Sequence, residues 1–333
     1  MKLRIGRATA TRVSDADLVA VGTTADGRLP VVTARAAGDL AEWLAAHRGQ
    51  VDELQARTGA VLFRGFAVTE PSRFDSVVGV FSGGAGHLVE DQNTHNQFVT
   101  DGEDVWYHND YCDRVKWPRH LVFWCEQTQA SGGQTPFVDT VRVLEAVPDR
   151  LRERFENGGW ILRRRFHPGI GVDAKGYFKT SDPEEIRRQL DRLDAFDVRW
   201  DGEVLTGFSA RFAPSFPHPV SGQRVWANNI TFSNVARVER TIREQLLRDY
   251  RLDELPVNTY WGDGSPIDTR DVEELCALYR ADEICFDWQQ GDVLLVDNIR
   301  CVHGRRPILA PQRVNVGVCD FHERLNAASA AMH

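Results

Sequence analysis

The chain has 333 residues, of which 42% are hydrophobic and 26% charged, and its formal net charge is −8. This composition predicts a folded protein with a large core rather than a disordered chain. The acidic balance argues against a nucleic-acid partner, because nucleic acids are bound through cationic faces. The densest cationic cluster, Arg163-Arg164-Arg165, is typical of the solvated edge of a strand or helix.

Two features of the sequence bear on location. The N-terminal segment lacks the apolar stretch of a secretory signal, and no run approaches the ~18 apolar residues of a membrane span. The six cysteines include no CxxC pair and are too sparse for a disulfide framework. We therefore expect a cytoplasmic protein with reduced thiols and no membrane partner.

Periodicity predicts an outer helix within residues 34–55, followed by the buried strand AVLFRGF after Gly59. Further helices are predicted at 141–155, 183–193 with Asp182 as the cap, 238–250 and 272–279. Short strands bounded by Gly, Pro, Asp or Asn are predicted at HLVFWCEQ, TPFVD, GWILRRRF, RVWANNI, DVLLVDNIRCVHG and RVNVGVCDF.

These elements predict a mainly β fold with surrounding helices, built on a jelly-roll core. Neither an internal repeat nor a low-complexity linker divides the chain. We expect a single domain over residues 1–333, with a helical insertion between about 141 and 290.

The segment WYHNDYCD carries the first candidate metal ligands. His108 and Asp110 are two residues apart, and such residues point to the same face of an extended strand. His303, after the apolar run DVLLVDNIRCV, is the natural third ligand. Two histidines and a carboxylate occupy one face of an octahedral iron(II) and leave three positions for a bidentate cosubstrate and dioxygen. An H-x-D triplet alone is a weak signal, because most are ordinary strand or turn residues.

A candidate anion site follows His303 in the sequence. Arg313 begins the strand RVNVGV, whose valines share one face; Arg313 shares the other with Asn315 and Gly317, and we expect that face to line the barrel interior. A buried arginine requires an anion, such as the far carboxylate of a dicarboxylate cosubstrate, although a structural ion pair is the alternative. Thr135, in SGGQTPFVD, could donate to the same carboxylate or simply belong to a hairpin turn.

The order of the motifs WYHND, GGQTPFVD, GDVLLVDNIRCVHGRRP and QRVNV resembles the TauD/TfdA-like, clavaminate-synthase-like family of iron(II)/2-oxoglutarate dioxygenases. The likeness runs from GAVLFRGF at residue 59 to the C-terminal strand. The stretches RVWANN, LPVNTYWGDGSPID and FDWQQGDVLLVDN resemble its SyrP-like branch. The resemblance implies a double-stranded β-helix, catalytic iron held by His108, Asp110 and His303, and Thr135 with Arg313 binding 2-oxoglutarate. It also implies Fe(II), 2-oxoglutarate and O2 as the reacting cofactors.

The same resemblance bears on the substrate. Asp110 stands where related halogenases have Ala or Gly, which disfavours halogenation. Gly317 stands where some members have a second arginine, which argues against sulfonates such as taurine. The implied reaction is hydroxylation of an unactivated C–H bond of an amino acid in natural-product biosynthesis, the substrate being free or held as a thioester on a carrier protein. The same cofactors also support desaturation, cyclisation and epoxidation.

Two other classes of protein fit parts of the pattern. A zinc hydrolase would use the same three ligands but leaves Arg313 and Thr135 without a role. A non-catalytic, cupin-like binding protein could keep the barrel without the reaction. Candidate substrate contacts lie in the loop at 83–104 and within RVWANN. A polar surface loop explains the first group equally well, and a packed strand with a turn the second. The candidates are Asn93, Thr94, Asn96, Trp226, Asn228 and Asn229.

Overall fold

The computed structural model describes residues 19–36, 38–83, 88–91, 104–114, 116–128, 132–168 and 172–323, and for 88–91 the backbone alone. A seven-stranded sheet forms the larger wall of the fold, with the order β1-β2-β3-β14-β6-β16-β4. Its strands are β1 (Val19–Thr23), β2 (Pro30–Ala34), β3 (Ala60–Arg64), β4 (Leu88–Asp91), β6 (Lys116–Gln127), β14 (Val293–Asp297) and β16 (Arg313–Glu323).

The smaller wall is a three-stranded sheet with the order β5-β15-β7. These strands are β5 (Val105–His108), β15 (Cys301–Arg305) and β7 (Phe137–Asp139). Both outer strands pair antiparallel with β15. Because His303 and His108 are cross-strand partners, this register sets the spacing of two candidate ligands.

Apolar side chains fill the space between the two walls. Alternate residues of the large sheet, such as Phe123, Val296 and Val316, join Phe137 and Trp288 in one buried cluster. The opposite face of the large sheet is covered by helices α1 (Leu40–Ala46), α2 (Arg48–Thr58) and α3 (Pro71–Phe81). The central strands β3, β6 and β14 are thus buried on both faces, as expected for strands covered on both sides.

The segment between β7 and β14 packs against the outer face of the small wall. It contains α4 (Thr140–Ala146), α5 (Asp149–Gly158), α6 (Ala174–Phe178), α7 (Pro183–Arg192), α8 (Arg240–Asp249) and α9 (Thr269–Ala281). It also contains a four-stranded sheet, ordered β13-β8-β10-β9, and a two-stranded ribbon. Their strands are β8 (Trp160–Phe166), β9 (Phe196–Asp201), β10 (Val204–Phe208), β11 (Phe216–Pro217), β12 (Arg224–Val225) and β13 (Val257–Trp261). The insertion is therefore not helical throughout, and its assignment to one domain with the barrel stays a prediction.

Most of the elements expected from the sequence are present, with informative differences. Helix α7 begins at Pro183, and the Asp182 carboxylate accepts a hydrogen bond from the Glu184 amide, as expected for the cap. The helix expected over 141–155 is instead two helices, because Pro148 has no amide hydrogen to continue the first. The run DVLLVDNIRCVHG is two strands rather than one, separated by a turn at 298–300.

Two expectations about the chain as a whole also have outcomes. All six cysteines are free, and five of them are buried. Among the described residues, no helix is long and apolar enough to cross a membrane.

Candidate metal centre

Three side chains converge between the two walls of the barrel. The Nε2 atom of His108 lies 3.3 Å from Oδ1 of Asp110, and the Nε2 atom of His303 lies 3.7 Å from Oδ2 of the same carboxylate. The two imidazole centroids are 4.5 Å apart. Both histidines are buried and Asp110 is half-buried. The structure thus brings together the three residues that the sequence singled out.

The donor set suits an octahedral metal that binds three ligands on one face. One ligand atom from each residue lies within 4.8 Å of the others. Bonds of about 2.1 Å at right angles would bring the ligand atoms to about 3 Å from one another, so small side-chain adjustments suffice. The Nδ1 atom of His108 lies 2.8 Å from the carbonyl oxygen of Trp106. An Nδ1–H donated to that carbonyl leaves Nε2 as the lone-pair atom that faces Asp110 and His303.

The convergence of His108 and Asp110 has a different cause from the expected strand alternation. Strand β5 ends at His108, and Asp110 lies in a turn. The buried Asn298 side chain holds this turn: its Oδ1 accepts from the Asp110 amide at 2.9 Å, and its Nδ2 donates to the Asp110 carbonyl at 3.0 Å. A second donation from Nδ2 to the Pro118 carbonyl, at 2.8 Å, anchors the same carboxamide to β6.

Two further asparagines complete the support of the turn. The Asn109 amide donates to Oδ1 of Asn229 at 3.0 Å, and Nδ2 of Asn229 donates back to the Asn109 carbonyl at 3.2 Å. The Asn109 side chain donates to the carbonyls of Asn298 and Cys301, at 2.6 and 2.8 Å. Backbone groups that a β-ladder would otherwise satisfy are therefore bonded to side chains, which keeps the buried turn in one conformation.

A buried carboxylate shapes the turn that carries Asn298. Oδ1 of Asp297 accepts from the amides of Ile299 and Arg300, both at 3.0 Å. Its other oxygen lies 3.0 Å from Nε2 of His218 and 3.1 Å from Nε of Arg119. Burial alone would raise the pKa of Asp297, but the hydrogen bond and charge of His218, with Arg119 and a further histidine, outweigh it and hold that pKa well below its ordinary value.

Thr135 lies on the interior side of the small wall's edge. Its side chain is fully buried, and its hydroxyl oxygen accepts a hydrogen bond from the Trp288 indole at 3.2 Å. Trp288 belongs to the apolar cluster between the two walls. Because the indole nitrogen only donates, the hydroxyl proton of Thr135 remains available for an acceptor inside the barrel.

The expected orientation of β16 is wrong. Val314 and Val316 belong to the interior cluster, whereas a Cβ on Gly317 would run into Val78 of α3, on the outer face. Helix α3 decides this, because it packs against Gly317 and so leaves the valine face to the interior. Arg313 begins the strand beside a β-bulge, its side chain is 55% exposed, and NH1 lies 3.3 Å from a Glu126 oxygen. Its role toward 2-oxoglutarate stays a prediction.

Sequence reasoning missed a buried arginine next to the candidate ligands. Arg305 is 2% exposed and lies two residues beyond His303 on β15. Residues two apart on a strand leave it on the same face, so the Arg305 side chain starts out toward the barrel interior. The next residue in HGRRP, Arg306, forms an ion pair with Glu283. The sequence alone does not indicate which of these two adjacent arginines is buried.

The expected substrate contacts have mixed outcomes. Asn93, Thr94 and Asn96 lie outside the described residues. Trp226 is part of the apolar core under the insertion, and Asn228 bonds to its own loop through the Ile230 amide. Phe232, which no sequence pattern indicated, stacks on the His108 ring with the centroids 4.5 Å apart.

Comparison with known proteins agrees with this geometry. The family model described as "Taurine catabolism dioxygenase TauD, TfdA family" matches residues 25–319. The chain belongs to this family. It is 26% identical to the dapdiamide synthesis protein DdaC of Enterobacter agglomerans, over 81% of this chain and 84% of that one. It is 29% identical to a clavaminate synthase-like protein of Arabidopsis thaliana, over the same shares.

Solved structures support the fold. PvcB, an Fe, alpha-ketoglutarate dependent oxygenase from an isonitrile synthetic pathway, superposes with a TM-score of 0.51 and 16% identity, over 94% of each chain. The jelly-roll core expected from the sequence is therefore confirmed. As a TauD, TfdA family member the protein is an iron(II)- and 2-oxoglutarate-dependent dioxygenase that uses O2. This excludes the zinc hydrolase and the non-catalytic binding protein.

Proposed function

We propose that this dioxygenase hydroxylates an unactivated C–H bond of an amino acid, either free or held as a thioester on a carrier protein, in natural-product biosynthesis. The observation that carries the proposal is the carboxylate of Asp110 beside two histidines, because a carboxylate at that position leaves no site for a halide ligand. The similarity to DdaC, whose name refers to dapdiamide synthesis, supports a biosynthetic role.

In this proposal His108, Asp110 and His303 hold iron(II). When bound there with 2-oxoglutarate, the metal supplies the activation of dioxygen that is coupled to decarboxylation of the cosubstrate to succinate. The chain's own residues keep the ligands in position: Asn298 holds the backbone of Asp110, and the carbonyl of Trp106 orients the His108 ring. Preformed ligand geometry lowers the cost of ordering the site when the metal binds.

The far carboxylate of 2-oxoglutarate needs a cation and a hydroxyl donor. Thr135 is the proposed donor, and two arginines are candidates for the cation. Arg313 matches the family's motif, and to bind inside the barrel it would leave its contact with Glu126. Arg305 is favoured by burial, because it lies on the face of β15 that carries His303. A charge-assisted pair is stronger when water is excluded, which favours Arg305.

Anaerobic titration with iron(II) and 2-oxoglutarate tests the site. The purified protein should develop the weak visible charge-transfer band of the iron–2-oxoglutarate chelate, and Asp110→Ala should abolish it. Arg305→Leu and Arg313→Leu should separate the two cations: loss of one charge-assisted pair weakens 2-oxoglutarate binding about tenfold or more, and the other variant stays near wild type. A wild-type protein that binds iron without forming the chelate would contradict the proposal.

The outcome of the reaction is read from the product. Hydroxylation adds one oxygen atom to the substrate, whereas desaturation or cyclisation removes two hydrogen atoms, and epoxidation requires an alkene. Mass spectrometry of turnover mixtures, with succinate release as the coupled signal, distinguishes them. An unchanged substrate with steady succinate release would indicate uncoupled turnover on the wrong amino acid, and screening would continue with the next amino acid.

A further inference from the structure

A second cavity lies outside the metal centre, in the insertion. It is partly open to solvent, and its empty volume, counted with the open part, is about 450 Å³. It lies between the sheet that contains β8 and β10 and the helices α6 and α7. Four aromatic rings line it, together with several leucines; the rings belong to Phe166, Tyr177, Phe178 and Phe208. A cavity with such walls suits an apolar group.

One end of this cavity carries an ion pair. NH2 of Arg164 lies 2.7 Å from Oδ2 of Asp113, and their side chains are 30% and 14% exposed. Burial opposes ionisation of Asp113, but Arg164 and then Arg114 outweigh it and hold the pKa of the carboxyl below its ordinary value. Both groups are therefore charged, which corrects the expectation that the whole Arg163–165 cluster is a solvated edge.

The Arg164 guanidinium has room for another partner. Within the described residues Asp113 is the one carboxylate it contacts, so most of its five N–H groups are available to a ligand. Its cross-strand neighbour on β10 is Gly207, which also lines the cavity and places no side chain beside the guanidinium. The Tyr177 ring packs against the Arg164 guanidinium, with the ring centroid 5.1 Å from Cζ of Arg164.

Asp113, at the charged end of the cavity, lies near the candidate metal ligand Asp110 along the chain. Asp113 follows Asp110 by three residues, and three links of 3.8 Å span at most about 11 Å between their Cα atoms. The turn that carries the candidate ligand Asp110 thus continues directly into the wall of this cavity. An amino acid bound with its charged groups at this end and its side chain among the rings would have Cα and Cβ, rather than the tip of the side chain, nearest to the metal centre.

We propose that this cavity binds the substrate as a free α-amino acid with a large apolar side chain. Arg164 binds the α-carboxylate and Asp113 the α-ammonium, while the aromatic rings surround the side chain. The four charges sum to zero, so each buried charge has an opposite partner. The inference rests on the proposed function and narrows it: a carrier-bound thioester has no free carboxylate and cannot make the contact with Arg164.

Calorimetric titration of the protein loaded with Mn(II) and N-oxalylglycine, which does not turn over, tests this proposal. L-phenylalanine and L-leucine should bind, whereas L-phenylalaninamide, which lacks the carboxylate, should bind at least about tenfold more weakly, as expected for loss of a charge-assisted pair. Equal binding of the amide and the acid to the wild-type protein would overturn the proposal without any variant.

Variants of β8 provide the matched comparison. Arg164→Gln should weaken L-phenylalanine binding about tenfold or more, and Arg164→Lys should restore part of it. Arg165→Gln is the control, because Arg165 points to the opposite face of the same strand, where it donates to the Glu254 carbonyl. If both glutamine variants bind like wild type, Arg164 is not the carboxylate site.

The proposal and the function on which it rests fail in different ways. The iron–2-oxoglutarate charge-transfer band forms without substrate, so it should be equal in Arg164→Gln and wild type. A normal band with no binding of any apolar amino acid overturns the cavity assignment alone. Absence of the band in the wild-type protein overturns the function, and with it the substrate role of the cavity.

Discussion

Replacement of Asn298 by alanine tests whether the turn, rather than the strand, positions the metal ligand Asp110. The side chain is fully buried and makes three hydrogen bonds, two to the backbone of Asp110 and one to the Pro118 carbonyl. Alanine leaves these three backbone groups without their partner and creates a small cavity. The Asp110 carboxylate itself is unchanged, so any effect on the metal acts through its position.

The size of the effect follows from these contacts. A typical hydrogen bond contributes about 0.5–1.5 kcal/mol, so three of them predict a loss of roughly 2–4 kcal/mol in the free energy of unfolding. Residues that orient a metal ligand typically change metal affinity by about 10–100-fold. We therefore expect Asn298→Ala to weaken iron(II) binding by that factor in addition to destabilising the fold.

Two measurements on the same protein separate the effects. Urea denaturation gives the loss of stability, and anaerobic iron(II) titration in the presence of 2-oxoglutarate gives the metal affinity. Asn234→Ala is the matched control, because Asn234 is also buried and makes three hydrogen bonds, two to Thr259 and one from the Ala236 amide. It should lose similar stability and keep its affinity for iron(II).

The reasoning is refuted if Asn298→Ala binds iron(II) as tightly as Asn234→Ala does at equal loss of stability. That result would mean that strand β5 and the walls of the barrel hold Asp110 without the carboxamide. A loss of affinity confined to Asn298→Ala would show that the turn belongs to the metal site.

Two further predictions concern stability. Gly317→Ala should lower the free energy of unfolding by about 1–3 kcal/mol, because its Cβ would overlap Val78, whereas Gly49→Ala, on an open helix surface, should be neutral or stabilising; thermal denaturation measures both. The contact with His120, whose Nδ1 lies 3.3 Å from Oδ2 of Asp320, lowers the pKa of that carboxyl more than the other charges nearby do, to about 2 from its ordinary 3.8. A carboxyl whose pKa is lowered in the folded state stabilises the fold above about pH 4, and this stabilisation is lost as the pH falls through about 2. Asp320→Asn should therefore lower the free energy of unfolding by roughly 1–2 kcal/mol at pH 6 and by progressively less below pH 4. An equal loss at every pH would refute the assignment.

The sequence by itself determined the chemistry of the candidate centre and most of the elements around it. An imidazole and a carboxylate two residues apart, and a distant histidine after an apolar strand, are features of residue type and order, which do not depend on packing. Turn residues likewise marked the ends of strands such as β14 and β16, because glycine, proline and aspartate limit the backbone locally. The order of these motifs was sufficient to indicate the family.

Only the tertiary structure decided which face of each strand is interior. Alternation in RVNVGV separates two faces, but it does not state which one a helix will cover; α3 covers the face of Gly317, so the valines line the barrel. The same holds for Arg164, the central arginine of the cluster in β8. It is a half-buried ion-pair partner because packing brings Asp113 beside it from the turn after the metal ligands. Contacts between residues far apart in the chain depend on packing, and a single sequence carries no record of them.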